Sequence, residues 1–403
     1  MVVVSGSVIV VTLPASSLPT FTPSATVTSA KLYLGVANQT GATAPSASAP
    51  GFKPDAFLTV TATTNPVIYA VTSTATYLQP ATLGALPTVS PYELVSIFGA
   101  NFGVTSAVIA TPDSVYNKYP TALTVGTSGT GTSAKNIVLK VNFTGTIGSG
   151  TSAKATTYAA PILFANGDQI NLVVPSGLNL GNITVSVSSG TTATPPASDN
   201  FPVSYIAADP GIFTLTSTGT GQGAILNPGG VVNGPGYGAQ QAVDTIAIYM
   251  TGLGTPNSAA TDNASNTITS GTGYPGNCVS VASYLTLVNT SVTTGTKYTA
   301  PSPIWTGLEG ALMTRVLAGL PPCMLNNVGP TTATVTFNPG TAGAVIQPVG
   351  YAGFVSSSVA GLYQVNVAVP AGLTTVSDGP VTVPVVVTIN GITSPPVNVV
   401  VKP

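Results

Sequence analysis

The chain has 403 residues, of which 44% are hydrophobic and only 5% are charged, with a formal net charge of −1 and no histidine. Soluble proteins ordinarily contain about 25% charged residues, and a net charge near zero favours association between copies. The absence of a basic patch argues against nucleic-acid binding, and the absence of histidine removes Ser-His-Asp and Cys-His catalysis and nearly every His-ligated metal site.

The first region, about residues 1–87, contains several short alternating runs that predict strands. Its opening segment, Val2–Leu13, is rich in β-branched residues and free of charge, and it indicates a strand rather than a signal peptide. Two interpretations stay open for this segment: it pairs within its own domain, or it is donated to a sheet edge of another copy. The residues of this candidate assembly strand are Val2, Val4, Val8 and Val10.

An internal repeat follows. Glu93–Gly103 (ELVSIFGANFG) matches Asp244–Gly254 (DTIAIYMTGLG), and Gln169–Leu178 (QINLVVPSGL) matches Gln364–Leu373 (QVNVAVPAGL), in the same order along the chain. In each second block, apolar residues alternate up to a Pro that ends the strand and a Gly that forms a turn. This pattern predicts a duplicated module in which Glu93 and Asp244 are structural acids near a turn.

The second repeat carries an insertion. Glu93 lies 76 residues before Gln169, whereas Asp244 lies 120 residues before Gln364, so the second copy is 44 residues longer. The insertion covers about residues 255–345 and holds both cysteines, Cys278 and Cys323. We expect these two to form a disulfide, with two free buried thiols as the alternative.

Strands that alternate and end in Pro-Gly turns at this spacing are typical of β-sandwiches. We therefore predict an all-β protein of tandem immunoglobulin-like sandwich domains, and no segment is apolar enough for a membrane helix. The predicted division is an N-terminal sandwich-like domain at 1–87, a first repeat module at 88–207, and a second module at 208–403 that contains the insertion.

Five blocks carry a family resemblance: residues 90–103 (SPYELVSIFGANFG), 209–214 (DPGIFT), 221–230 (GQGAILNPGG), 362–373 (LYQVNVAVPAGL) and 384–401 (PVVVTINGITSPPVNVVV). They resemble the C-terminal module of secreted Acidobacteria proteins of the Solibacter type, and the first block also resembles the opening strand of IPT/TIG immunoglobulin-like domains. The resemblance covers about residues 88–403. It implies secretion or surface display, without an established enzymatic activity.

Two classes of function stay open. One is an extracellular, self-assembling structural subunit of a surface filament, sheath or layer, whose partners are other copies of itself. The other is a cell-surface adhesin or carbohydrate-binding module, with Trp305 and Tyr284 of the insertion as candidate ligand contacts to glycans or other surface proteins. For both classes we expect no catalysis, no cofactor and no metal. A secreted chain also exposes candidate glycosylation sequons, which occur here at Asn38, Asn142, Asn182, Asn263 and Asn289.

Overall fold

The computed structural model describes residues 65–80, 85–113, 118–255, 309–312, 333–355 and 358–403 in full. Before residue 65 it describes four strands, at residues 2–5, 8–10, 29–33 and 57–61. These residues confirm the all-β prediction. Among them helices are limited to three short 3-10 turns, and none is long and apolar enough to cross a membrane. The chain divides into two compact units, residues 1–64 and 65–403.

The N-terminal unit is described through two antiparallel strand pairs. Strand β1 (Val2–Ser5) pairs with β2 (Val8–Val10), so that Val2 lies opposite Val10. Strand β3 (Ser29–Tyr33) pairs with β4 (Phe57–Thr61). The two described parts of the candidate assembly strand therefore pair with each other, and donation of this strand to another copy stays a prediction.

The first half of the larger unit, which we call module 1 (residues 65–207), contains two sheets around one apolar core. One sheet has the order β5-β7-β13-β12-β8, and the other has the order β11-β10-β14-β15-β6, with β9 paired to β10. The strands are β5 (Val67–Ser73), β6 (Thr88–Val89), β7 (Leu94–Ala100), β8 (Val108–Ile109), β9 (Leu123–Ser128), β10 (Lys135–Ile147), β11 (Lys154–Ala159), β12 (Ile162–Ala165), β13 (Gln169–Val173), β14 (Gly181–Gly190) and β15 (Phe201–Tyr205).

The second half, module 2 (residues 208–403), forms one 11-stranded sheet in the order β18-β17-β20-β23-β22-β21-β24-β26-β19, with β16 on β20 and β25 on β24. Strand β22 pairs with β21 through its first part and with β23 through its second part, which joins the two faces of the module. The strands are β16 (Gly211–Ile212), β17 (Ile225–Asn227), β18 (Val231–Val232), β19 (Ala239–Gln240), β20 (Thr245–Thr251), β21 (Ala333–Phe337), β22 (Val345–Phe354), β23 (Tyr363–Ala368), β24 (Val381–Ile389), β25 (Ile392–Thr393) and β26 (Val397–Lys402).

The repeated segments occupy equivalent places in the two modules. Strand β7 pairs with β13 so that Leu94 faces Val173, and β20 pairs with β23 so that Thr245 faces Ala368. A serine also repeats its bonds: Ser198 Oγ accepts the Val187 amide at 3.0 Å, and Ser394 Oγ accepts the Val387 amide at 3.0 Å. The duplication therefore extends from the sequence to the backbone register.

The apolar alternation of the repeats has the expected physical effect. Ile170 and Leu172 of β13 and Val367 of β23 are fully buried in the two cores. Burying such side chains contributes about 1.5–3 kcal/mol each. One strand lies in a different place from the sequence expectation: β5, within the predicted N-terminal region 1–87, is hydrogen-bonded to β7 of module 1.

Candidate functional site: the junction between the modules

The acidic residue at the start of each repeat accepts a hydrogen bond from the backbone of the turn before it. The carboxylate of Glu93 accepts the Ser90 amide at 2.8 Å, and that of Asp244 accepts the Gln240 amide at 2.7 Å. Just before each acid, Tyr92 and Ala242 have positive φ angles, 62° and 58°, and donate their amides to Val174 and Val369. The same turn is therefore built twice, with one more residue in module 2.

The two turns differ in burial. Glu93 is fully buried, whereas Asp244 is half-buried. The cause is module 2, which covers the end of module 1 that carries Glu93. In the part of the chain that the structure describes, no other module covers the equivalent end of module 2.

Tyr92 belongs to the core of the other module. It is fully buried in the apolar cluster of module 2, where its ring centroid lies 5.3 Å from that of Phe354. Phe354 in turn stacks on Tyr363 at 4.8 Å. Gly361 permits this approach, because a side chain there would collide with the Tyr92 carbonyl oxygen.

Hydrogen bonds join the same two surfaces. The Leu94 amide donates to Thr251 Oγ1 at 2.8 Å, and this hydroxyl donates to the Gly361 carbonyl at 2.8 Å. At a second point, Thr88 Oγ1 donates to Asp209 Oδ2 at 2.6 Å. The buried backbone groups at the module boundary are thus paired across it, as buried polar groups require.

A short segment from the predicted insertion spans the junction. We call residues 309–312 the clip. The carboxylate of Glu309 accepts the amide of Ser176 at 2.8 Å and also the Ser176 hydroxyl. The Tyr119 amide donates to the Gly310 carbonyl at 2.8 Å, and the Ala360 amide donates to the Ala311 carbonyl at 2.8 Å. The clip is therefore bonded to module 1 on one side and to module 2 on the other.

Burial controls the electrostatics of the junction. It raises the pKa of Glu93 well above its ordinary value, and the negative charge of Asp209 raises it further, against the hydrogen bonds from Ser90. Burial likewise raises the pKa of Asp209 and of Tyr363. Among the described residues, Glu93 Oε1 has no hydrogen-bond partner. A buried carboxyl without a cation is held most easily in its neutral, protonated form.

A cleft of about 820 Å³ opens beside these contacts. Its walls include Tyr158, Tyr205 and Lys154 of module 1, and Leu253 and Asn390 of module 2. The Tyr205 hydroxyl is bonded within the protein, because it donates to the Pro175 carbonyl at 2.9 Å. Aromatic and amide groups line the cleft, and Lys154 is the one cationic side chain among the described lining residues.

Most side chains predicted as site residues lie outside the described residues: Cys278, Cys323, Trp305, Tyr284, Asn38, Asn263 and Asn289. The disulfide, the ligand contacts and these glycosylation sites stay predictions. Asn142 lies in β10 and Asn182 in β14, the latter exposed. The sequence did not single out Tyr92, Thr251, Ser176 or Glu309 as a group, and its one available signal was that the aromatic Tyr92 stands where the otherwise similar second repeat has Ala242.

No family model matches the sequence, and a search of the curated proteins finds no match. The resemblance to secreted Acidobacteria modules therefore stays a prediction that these comparisons neither support nor contradict.

Proposed function

We propose that this chain is an extracellular structural protein, a self-assembling subunit of a surface filament, sheath or layer built from immunoglobulin-like modules. The observation that carries the proposal is the buried junction. Tyr92 of one module completes the core of the other, so two modules behave as one stiff body rather than as domains on a flexible linker. Stiff, repeated bodies suit a structural role.

The junction acids support a structural rather than a catalytic role. Glu93 is fully buried, and Glu309 is 6% exposed with its carboxylate bonded to Ser176. A general acid or base must lie within hydrogen-bond reach of a substrate. These carboxyls instead are buried and accept hydrogen bonds from Ser90 and Ser176, where they hold a turn and the clip in place.

The surface supports self-association. The chain has a net charge of −1, so copies have almost no long-range repulsion. Several large apolar side chains are also exposed. Those more than 60% exposed are Tyr69, Ile109, Leu180, Tyr237, Val243, Ile346 and Val376.

Strand donation is one mode of assembly that fits this proposal. The N-terminal hairpin of β1 and β2 would have to open before Val2–Leu13 could pair with a sheet edge of another copy. Strand β5 offers such an edge, since among the described strands it ends its sheet and pairs only with β7.

Negative-stain microscopy and sedimentation of the purified full chain test the proposal. We expect ordered polymers or a concentration-dependent rise in mass. A chain that stays monomeric at every concentration contradicts the structural role. Deletion of residues 1–13 separates the mechanisms: loss of polymers supports strand donation, and polymers of unchanged form eliminate it.

One observation favours the alternative function, an adhesin or carbohydrate-binding module. The cleft at the junction has the size of a ligand site, about 820 Å³, and Tyr158 at its wall is a residue on which a sugar ring can stack. Binding to a glycan array that is lost in Tyr158→Ala, in a chain that remains monomeric, would favour this function over the structural one.

A further inference from the structure

The cleft of about 820 Å³ at the junction is lined by residues of both modules. Its walls come from the hairpin that joins β10 to β11, from the turn that follows β13, and from the segments that follow β20 and β24 in module 2. Small-molecule sites in proteins occupy about 300–1,000 Å³ and lie preferentially between domains. The cleft therefore has the size and the position of a ligand site that touches both modules.

Hydrogen bonds hold the module 1 walls of this cleft in place. The Asn179 amide donates to the Thr146 carbonyl at 2.8 Å, and the Asn179 side chain donates to the Gly148 carbonyl at 2.5 Å. The turn after β13 is thereby tied to the β10–β11 hairpin. Tyr205 is fixed in turn by its bond to the Pro175 carbonyl. Walls that are bonded to one another are formed before a ligand arrives, so little ordering cost opposes binding.

Strand β11 places an aromatic ring and a cation along one wall. Tyr158 is half-buried and Lys154 is exposed, and both line the cleft. Because they are four residues apart, they lie on the same face of the strand, with Cα atoms about 13 Å from each other. A tyrosine ring has an apolar body and a polar tip, which suits the C–H face of a sugar ring. The wall thus offers a stacking surface and, at a distance, a positive charge.

The remaining polar side chains at the surface of the cleft are neutral. Ser152, Thr255 and Asn390 are exposed lining residues, and their hydroxyl and amide groups can bond the hydroxyls of a sugar. The described lining residues include no aspartate or glutamate. Glu309 is bonded to the lining residue Ser176 but is itself buried. An anionic group that enters the cleft therefore meets one cation and no carboxylate among these lining residues.

We propose that the cleft binds an acidic oligosaccharide, with one sugar ring stacked on Tyr158 and an anionic substituent, a carboxylate or a sulfate, at Lys154. This inference rests on the glycan-binding alternative and names the class of glycan; it does not depend on self-association. The chain carries very few charges, so a single lysine is enough to distinguish an acidic from a neutral ligand.

Isothermal titration of the full chain with a neutral, a carboxylated and a sulfated oligosaccharide of equal length tests the inference. We expect the better acidic probe to bind about tenfold more tightly than the neutral one at low salt, since hydrogen bonds to charged groups contribute about 1.5–3 kcal/mol. That probe identifies the anionic group. Because the ligand contacts both modules, it should also raise the midpoint of urea unfolding.

Two lysine variants test the position of the charge. Lys154→Gln should remove the preference for the acidic probe, whereas Lys140→Gln, at an exposed lysine of β10 outside the cleft lining, should keep it. Equal loss in both variants would overturn the inference, because it would mean that any lysine attracts the probe. An intact preference in Lys154→Gln would overturn it as well.

Two tyrosine variants test the stacking. Tyr158→Ala should abolish binding of all three probes, and Tyr158→Phe, which keeps the ring, should retain it. If the wild type binds none of the probes, the glycan-binding alternative itself fails. If it binds the neutral probe as tightly as the acidic ones and loses all of them in Tyr158→Ala, glycan binding stands and the assignment of an acidic ligand is wrong.

Discussion

The ring centroid of Tyr92 lies 5.3 Å from that of Phe354, although the two residues belong to different modules. Tyr92 occupies a tight turn with a positive φ angle, which aims its side chain away from its own core. The neighbouring module supplies the apolar surroundings that bury it. The stability of each module therefore depends on the presence of the other.

Replacement of Tyr92 should be among the most destabilising single changes at the junction. Tyr92→Ala removes a fully buried aromatic side chain, and such truncations cost about 3–5 kcal/mol. Urea unfolding of the wild type should show one transition for the two modules, and the variant should show two. Tyr69→Ala, at a residue 66% exposed on β5, is the control and should change the free energy of unfolding by less than about 1 kcal/mol. A single, unshifted transition in Tyr92→Ala would mean that the modules are not coupled through this ring.

The hydroxyl of Thr251 should be required for the stability of the junction. It accepts the Leu94 amide and donates to the Gly361 carbonyl, both at 2.8 Å, and it is fully buried. Thr251→Val keeps the shape but leaves both backbone groups without a partner, at a cost of about 1–3 kcal/mol for each. The matched control is Thr144→Val, because the Thr144 hydroxyl bonds the Thr157 hydroxyl at the exposed sheet surface, at 2.9 Å. Thermal unfolding measures the loss of stability in both variants. An equally small loss in Thr251→Val and Thr144→Val would contradict the role of the Thr251 hydroxyl.

The sequence allowed the repeat to be found because its signals are local. Alternation in β13 and β23 sets which side chains enter the core, and Pro175 and Pro370 end the strands. The position of the acid three or four residues after its turn partner is also local, so Glu93 and Asp244 could be interpreted as structural. These features depend on neighbours in sequence, and the structure repeats them in both modules.

The junction could not be found in this way. Leu94 and Thr251 are 157 residues apart, and no periodicity links them. Ser176 and Glu309, 133 residues apart, meet only because the clip returns between the modules. Strand β5 illustrates the same limit: its alternation predicts a strand, but nothing in Val67–Ser73 indicates which sheet the strand joins.

The clip should stabilise the junction through Glu309. Glu309→Ala removes the carboxylate that accepts hydrogen bonds from the buried Ser176 amide and hydroxyl, and removal of one partner of a buried hydrogen bond costs about 1–3 kcal/mol. Asp378→Ala is the control, since Asp378 accepts the Thr375 hydroxyl at 2.5 Å in an exposed turn. We expect the first variant to lower the midpoint of urea unfolding clearly and the second to lower it little. The reverse order would show that the clip does not hold the modules together.

Stability should fall as the pH rises, and Glu93 should be the main cause. Burial and the charge of Asp209 raise the pKa of Glu93 above its ordinary value of 4.5. A group whose pKa is higher in the folded protein contributes its full stability below the ordinary value, where both states hold the proton. As the pH rises above that value, the unfolded chain releases its proton first. The contribution to stability then decreases steadily and is gone once the pH exceeds the folded pKa. The raised pKa of Asp209 acts in the same direction.

Glu93→Gln separates this effect from other titrations. Glutamine keeps the acceptor for the Ser90 amide and cannot ionise, so the free energy of unfolding should depend less on pH above the ordinary carboxyl pKa of 4.5. At the high-pH end of the titration the variant should be as stable as the wild type or more stable. Asp244→Asn is the matched control, because Asp244 holds the same turn in module 2 but is only half-buried. If Glu93→Gln keeps the full pH dependence of the wild type, the carboxyl of Glu93 is not the group that the junction keeps protonated.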